Sequence, residues 1–370
     1  MNMKETFTPE QMNLMNKISQ EGYEFLKQNQ IDQAKKKFNE LLAIDPYNQY
    51  GLVGLGDVAR KEKDSELAVK YYKKCLDHHH ENKYAIIGLA DAYRDLHEFE
   101  KAIQLWEHFL ALYQADITVL TRLADAYRKL NDFDNSKKFY LKVFDIDPNN
   151  TYALTGIGYL FFDNKKYDMA LQYWMRMLEI EPENVKILTT IGNCHRKKKT
   201  FEDGVPFFMK ALDLSADNFY ALYGLADCYR GLQEHEKSLK IWEQLLRLSP
   251  ENKVLLTRYG DALRNVGNLD GAADYYQRAL DIDYDYYAAI GLALISKERG
   301  DFTSAIDTLS KLYTMEKNNT RLISELVECY VANNERAKAM SLLKSNIDSG
   351  NTHPSIKELY DELTKGPSKN

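Results

Sequence analysis

The chain has 370 residues, with 49 Lys and Arg against 55 Asp and Glu, for a formal net charge of −6. This mild acidity argues against nonspecific nucleic-acid binding, which needs a basic face to displace counterions. No apolar run reaches the length of about 18 residues that a membrane span requires, and residues 1–10 lack the apolar stretch of a signal peptide, so cytoplasm is the default expectation.

In chain order, the first signal is Thr8-Pro9-Glu10-Gln11, which reads as an N-cap, a proline at the first helical position and a capping box. A first helix longer than its counterparts is expected to begin near Pro9. Further on, Leu89-Ala90-Asp91-Ala92-Tyr93-Arg94 returns 34 residues later as Leu123-Ala124-Asp125-Ala126-Tyr127-Arg128. It returns again 102 residues beyond that, three intervals on, as Leu225-Ala226-Asp227-Cys228-Tyr229-Arg230. A fixed period of this size marks a repeat architecture.

Counting 34 from Met15, repeats begin at Met15, Gln49, Lys83, Ile117, Thr151, Val185, Phe219 and Lys253. After one deletion near residues 283–285, two more begin at Tyr286 and Thr320. The division expected is a lead-in over 1–14, ten repeats over 15–353, and a capping helix with a short frayed tail over 354–370. Position 8 of the repeat is Gly or Ala in nine of the ten (Gly22, Gly56, Ala90), and position 20 is equally small (Ala34, Ala68, Ser136, Gly204). Two helices must approach closely there. Aromatics at positions 11, 17 and 24, such as Tyr93, Phe99 and Trp106, fill the space left, and a proline at position 32 (Pro46, Pro148, Pro182, Pro250) stops the second helix. Apolar residues at i, i+3, i+4 and i+7 in each half-repeat predict two amphipathic helices per unit.

This register resembles the tetratricopeptide repeat family over more than nine-tenths of the chain. The resemblance implies an all-α, right-handed helical solenoid of about ten helix-turn-helix repeats, each packing only on its neighbours. Two irregularities stand against that background. Pro206 falls inside a second helix and predicts a kink or a late start, and the tenth repeat is degenerate, with Val327 and Arg336 at its small and aromatic positions. A second period also runs through the chain. Trp106, Trp174 and Trp242 lie 68 residues apart, as do Leu120-Thr121-Arg122, Leu188-Thr189-Thr190 and Leu256-Thr257-Arg258. Units therefore alternate between two types, which fits duplication of a two-repeat ancestor, a ligand that repeats along the groove, or a self-assembly surface.

The resemblance also implies that the first helix of each repeat lines a concave groove through positions 2, 5, 9, 12 and 13. Position 9 carries Asp57, Asp91, Asp125, Asp227 and Asp261, with Asn193 in the sixth repeat; position 12 carries Arg60, Arg94, Arg128, Arg196, Arg230 and Arg264. Asp and Arg three apart share a helix face, so they are expected to pair into a ladder of charge. The ladder either satisfies itself or offers arginines to acidic groups of a partner. Tyr50, Tyr84, Tyr152, Tyr220 and Tyr287 at position 2 add flat contact area beside it. The fifth repeat breaks the ladder with Tyr159 and Phe162, as the first does with Tyr23 and Leu26 and the ninth with Leu294 and Lys297. Tyr152, Tyr159 and Phe162 are thus the candidate central anchor. Co-chaperone members of the family hold a C-terminal carboxylate with Lys at position 5 and Asn at position 9. Here position 5 holds Val53, Ile87, Thr121, Thr155 and Thr189, and Asn193 stands alone, so that clamp is not expected.

Other signals are weaker. His78-His79-His80 sits in a turn between repeats and reads as solvated loop rather than metal site. The run His195-Arg196-Lys197-Lys198-Lys199 suits a helix C-terminus, or contact with an acidic partner or nucleic acid. Cys75, Cys194, Cys228 and Cys329 form no CxxC pair and read as buried free thiols. No Walker loop, GxSxG elbow or HExxH motif occurs, and no residues remain for a catalytic domain, so no enzyme, cofactor or metal is expected. The expected function is a non-catalytic scaffold that binds an extended or helical segment of another protein, acidic and with an apolar anchor. The alternatives are a self-associating structural protein and, more remotely, a regulatory subunit touching nucleic acid.

Overall fold

A computed structural model describes residues 7–351 and 353–365, in which every regular element is an α-helix. Residues 1–6 of the lead-in and the tail at 366–370 lie outside the described residues. The helices come in pairs. A first compact unit, Met1–Pro182, holds α1 (Pro9–Lys27), α2 (Ile31–Ile44), α3 (Gln49–Lys61), α4 (Ser65–His78), α5 (Lys83–Asp95), α6 (Phe99–Leu112), α7 (Ile117–Lys129), α8 (Phe133–Ile146), α9 (Thr151–Asp163) and α10 (Tyr167–Ile180). A second, Glu183–Asn370, holds α11 (Val185–Lys198), α12 (Phe201–Leu214), α13 (Phe219–Gly231), α14 (His235–Leu248), α15 (Lys253–Asn265), α16 (Leu269–Ile282), α17 (Tyr286–Glu298), α18 (Phe302–Met315), α19 (Thr320–Ala332), α20 (Arg336–Asp348) and α21 (Pro354–Lys365).

Local chemistry sets these boundaries. Thr8 caps α1 by accepting from the Gln11 backbone N–H at 3.2 Å, while the Gln11 side chain accepts from the Thr8 N–H at 2.9 Å. The first helix of most later repeats starts behind an asparagine (Asn48, Asn82, Asn150, Asn184, Asn218, Asn252, Asn319) whose side chain takes the orphan N–H groups of the first turn. Between the helices of a pair, position 15 turns the chain through the left-handed region. Asn29, Lys63, His97, Asn131, Lys165, Lys199, Gln233 and Asn334 sit there at φ 59–64°, and glycine takes the place only at Gly267 and Gly300.

Packing follows the small-residue rule. Ala34, Ala68, Ala102, Ala170, Ala272, Ala305 and Ala339 are wholly buried, as are the position-24 rings Phe38, Tyr72, Trp106, Trp174, Phe208 and Tyr276. A Cβ on Gly56 would lie 2.5 Å from the Tyr72 ring, so the ring as placed here needs glycine at that position.

Two features differ from the sequence reading. The helix carrying Pro206 does not start late: α12 begins at Phe201, position 17, as its counterparts do. Pro206 and Glu202 are both exposed, so water can satisfy the Glu202 carbonyl that loses its i+4 donor. At the C-terminal end, α21 lays the buried Ile356 against Ile323, Val327, Ala339 and Leu343, and the degenerate Arg336 donates to the carbonyl of Leu363 on that helix. The substituted position thereby fastens the last helix rather than filling a core.

Candidate partner-binding face

Positions 9, 12 and 24 build the face, and they do so differently in alternate repeats. In the second repeat, Tyr72 on α4 donates its hydroxyl to Asp57 on α3 at 2.6 Å. Burial lifts the Asp57 carboxyl above its ordinary value, against the pull of that hydrogen bond and of Arg60. Tyr140 does the same for Asp125 at 2.5 Å, and Tyr276 for Asp261 at 2.7 Å. With its own aspartate engaged by tyrosine, the arginine three residues on reaches into the next repeat. Arg60 meets Asp91 at 3.1 Å and Asp95 at 3.3 Å, Arg128 meets Asp163 at 2.8 Å, and Arg264 meets Glu298 at 2.5 Å.

The tryptophan repeats have no hydroxyl to give, so guanidinium groups hold the aspartate instead. Asp91 is 2% exposed and is gripped by Arg60, Arg94 at 3.4 Å and Arg122 at 3.0 Å. Burial holds the Arg122 guanidinium below its ordinary pKa, with Asp91 opposing that shift. In the second unit, Asp227 takes Arg196 and Arg230, each at 2.6 Å. Burial alone would raise its pKa, but the two arginines outweigh it and hold the carboxyl below the ordinary aspartate range.

The expected i,i+3 pair carries the contact in Arg94–Asp91 and Arg230–Asp227 and persists loosely in Arg128–Asp125 at 3.9 Å, while the shorter contacts of Arg60, Arg128, Arg196 and Arg264 run between repeats. Every position-12 arginine of the candidate set already has a carboxylate partner. The ladder is largely neutralised from within, and an acidic partner would have to displace those carboxylates.

The fifth repeat is different. Tyr159 packs edge-on against Trp174 with ring centroids 5.3 Å apart, and Phe162 lies 5.5 Å from Tyr167 and 5.8 Å from Trp174. Both rings are half-buried. Arg128 approaches from the preceding repeat, its guanidinium carbon 5.8 Å from the Tyr159 ring centre. Tyr152 is 81% exposed, with no ring contact among the described residues. The structure therefore joins Tyr159 and Phe162 through Trp174 and leaves Tyr152 in solvent. Tyr84 and Tyr220 are exposed as well, at 60% and 72%.

The 68-residue period has a steric basis that the sequence pattern does not reveal, the fit between position 24 and position 6 of the next repeat. Where position 24 is Phe or Tyr, the next repeat has glycine at position 6: Phe38 precedes Gly54, Tyr72 Gly88, Tyr140 Gly156, Phe208 Gly224 and Tyr276 Gly291. Each of those rings occupies the space a Cβ would need. Where position 24 is Trp, position 6 is Arg122, Thr190 or Arg258. Arg appears where the tryptophan repeat holds Asp91 or Asp227, and Thr where it holds Tyr159. The sixth repeat varies in concert, since Phe208 lacks the hydroxyl and Asn193 lacks the charge.

The remaining candidates are structurally occupied. Tyr47 lies 3.8 Å from the His78 ring, and His79 Nε2 is 2.8 Å from the Tyr47 carbonyl. His195 Nδ1 is 2.8 Å from the Thr200 hydroxyl. The four cysteines are buried and in no disulfide, and burial raises the Cys75 and Cys228 thiols to about 11.

Stacked helix pairs with small residues at their close approaches and an aromatic between them define an α-α repeat array. The chain belongs to the tetratricopeptide repeat family: models of that repeat match residues 19–78, 117–150, 185–218, 220–252, 257–319 and 297–363, together well over half of the sequence. The fold serves in general as a protein-interaction scaffold and is generally non-enzymatic. Among solved structures, a tetratricopeptide repeat protein from Parabacteroides merdae is similar at 16% identity and a TM-score of 0.52, over 66% of this chain and 97% of that one. PilF from Pseudomonas aeruginosa is 18% identical over 58% of this chain and 97% of that one, with a TM-score of 0.49. Yeast Tom70 is 13% identical over 95% of both, with a TM-score of 0.45. At these identities the likeness is one of fold. A search of curated proteins gave no match. Among the described residues, no helix is long and apolar enough to cross a membrane.

Proposed function

We propose that this chain is a non-catalytic scaffold that holds a segment of another protein against the first-helix face of its repeats, anchored at the fifth repeat. The observation that carries the reading is the contrast along that face. Its charges are spent on one another, whereas the fifth repeat replaces them with the half-buried rings of Tyr159 and Phe162 and the exposed Tyr152. Large rings that stay partly in water gain most from a partner that covers them. Arg94, Arg128, Arg196, Arg230 and Arg264, with Asp91, Asp125, Asp227 and Asp261, then shape the face and select against mismatched charge. Four cysteines without a disulfide suit a reducing compartment such as the cytoplasm.

The test is quantitative partner capture by the intact chain, by Tyr152→Ala and Phe162→Ala, and by an Arg94, Arg128 and Arg230 triple alanine variant. Proteins lost with the ring variants and rebound as purified components support the reading. Capture indifferent to both ring variants sinks it.

A further inference from the structure

One stretch of the first-helix face is not balanced in charge, and it lies in the second unit. Positions 2, 6, 9 and 13 of a first helix fall on one stripe, because steps of three and four residues keep to one side of a helix. On α11 that stripe is Lys186, Thr190, Asn193 and Lys197, so it carries two ammonium groups and no carboxylate. Position 9, aspartate on α3, α5, α7, α13 and α15, is here the uncharged Asn193, whose side-chain oxygen accepts from Arg196 Nε at 3.2 Å. Lys186 and Lys197 are exposed and form no ion pair among the described residues.

The neighbouring helices do not make up the difference. With position 12 added, α11, α13 and α15 carry six cations on this face, Lys186, Arg196, Lys197, Arg230, Arg258 and Arg264, against two carboxylates, Asp227 and Asp261. Glu298 on α17 takes Arg264, and Asp227 is shared between Arg196 and Arg230. Arg258 is left with Asp261 at 3.5 Å, which already accepts from Tyr276 at 2.7 Å. Its counterpart in the first unit, Arg122, reaches Asp91 at 3.0 Å. The same positions of α3, α5, α7 and α9 hold six cations and five carboxylates, so the first unit is nearly neutral there. Even with Glu298 counted, the second unit keeps a local surplus of three positive charges on a chain whose net charge is −6.

We infer that this face of α11, α13 and α15 receives an acidic stretch of the partner protein, whose aspartate or glutamate side chains meet Lys186, Lys197 and Arg258. The inference rests on the reading that the first-helix face takes a partner segment. Lys186 and Lys197 have no internal carboxylate to give up, and Arg258 gives up only a long contact. Complementary charge then fixes which segment is accepted and speeds its encounter. A protein ligand fits better than a nucleic acid. Three surplus charges release few counterions, and the same positions of α17 and α19 hold Glu298, Glu325 and Glu328 against Lys297 and Arg321, so the basic stretch does not continue along a phosphate backbone. Nor does it match a chain end: Thr189, at position 5 of α11, is buried and donates to the Val185 carbonyl at 3.0 Å.

The test is calorimetric titration of the full chain, in about 0.05 M salt, with a blocked peptide of about ten residues that alternates Glu and Ser. Blocked Gln-Ser and Lys-Ser peptides, a Gln-Ser peptide with a free C-terminal carboxylate, and a single-stranded oligonucleotide of matched charge serve as comparisons. The Glu-Ser peptide is expected to bind, and to weaken about tenfold or more when salt is raised to about 0.5 M. Lys186→Gln combined with Lys197→Gln should weaken it about fivefold or more. Both side chains are exposed and unpaired among the described residues, so the variant keeps its fold. Asn193→Asp, which restores the charge found at position 9 elsewhere, should weaken binding as well, while Lys129→Gln, at position 13 in the first unit, should leave it unchanged. No Glu-Ser binding, equal or tighter binding of any comparison, or indifference to the double lysine variant would overturn the inference. If the Glu-Ser peptide fails while Phe162-dependent capture persists, the charge assignment falls and the scaffold reading stands.

Discussion

The Tyr72 hydroxyl donates a hydrogen bond to Asp57 across 2.6 Å, and the same bond recurs 68 residues on between Tyr140 and Asp125. It ties the second helix of a repeat to the first and leaves the arginine three residues along only a loose hold on that aspartate, 3.9 Å from Arg128 to Asp125. That arginine then bridges to the following repeat, as Arg60 does to Asp95 and Arg128 to Asp163. The hydroxyl is not the whole cause, because Arg196 bridges to Asp227 of the following repeat from a repeat whose position 24 is Phe208.

Tyr72→Phe should lower stability by about 1–2 kcal/mol, because the half-buried Asp57 loses its donor. Asp57→Asn should cost a similar amount. The double variant should cost less than the sum by about 0.5–1.5 kcal/mol, since Phe208 with Asn193 already forms a working combination. Urea unfolding of the four proteins completes the cycle, and strict additivity would refute the coupling.

The acid limb of the stability curve should depend on Asp227. Its folded pKa is held below the ordinary 3.8 by Arg230 and Arg196 against the effect of burial. A depressed carboxyl contributes stability above its unfolded pKa and loses that contribution as pH falls through the folded one. Asp227→Asn should therefore cost about 2 kcal/mol at pH 7, with the gap to the parent narrowing below about pH 3.8 as Asp227 protonates. Asp57 runs the other way: its raised pKa favours folding at low pH, and that contribution declines as pH rises through the folded value. Denaturant midpoints across the acid range measure both slopes.

Gly224→Ala should destabilise by about 1–3 kcal/mol, because the added methyl would fall inside the buried Phe208 ring. Pairing it with Phe208→Leu should recover part of the loss. A neutral Gly224→Ala in thermal unfolding would mean that the ring has room to shift and that position 6 is not dictated by position 24.

Much of this architecture is readable from residue types alone, for identifiable reasons. Small residues at positions 8 and 20 and rings at position 24 recur because every repeat must solve the same close approach, so a single chain holds many copies of the same evidence. The capping of α1 is equally local, with Thr8 and Gln11 three residues apart. Pairing across the face is not local. Arg60 and Asp95 are 35 residues apart, and nothing at the spacing of one helix turn reveals that Tyr72 has already taken Asp57. The joint variation of positions 6, 9 and 24 was the available signal. The 68-residue alternation of Trp106 and Arg122 is visible in the sequence, but not that positions 6 and 24 compete for the same space. Half-burial of Tyr159 and Phe162 on Trp174 also depends on packing that periodicity does not encode.

Turn chemistry offers a gain rather than a loss. Lys165 sits at φ 59° between α9 and α10, a conformation that costs a side chain with a Cβ about 1 kcal/mol. Lys165→Gly should raise stability by up to about 0.5 kcal/mol, the greater freedom of glycine in the unfolded chain offsetting part of the relief. Gly267 and Gly300 already take this solution. A lowered denaturation midpoint would show that Lys165 makes compensating contacts in the turn.

The ring variants of the fifth repeat should separate binding from stability. Tyr152 is 81% exposed, so Tyr152→Ala should change stability by less than about 0.5 kcal/mol. Phe162 packs on Tyr167 and Trp174 while remaining half-exposed, so Phe162→Ala should cost about 1–2 kcal/mol, less than the 3–5 typical of a fully buried ring. Phe162→Leu should restore most of that stability by refilling the space, yet it removes the flat face offered to a partner. Chemical denaturation run beside partner capture makes the distinction. Capture that returns fully with leucine would show that the ring matters only for packing, and capture that stays low while stability returns would place Phe162 in the interface.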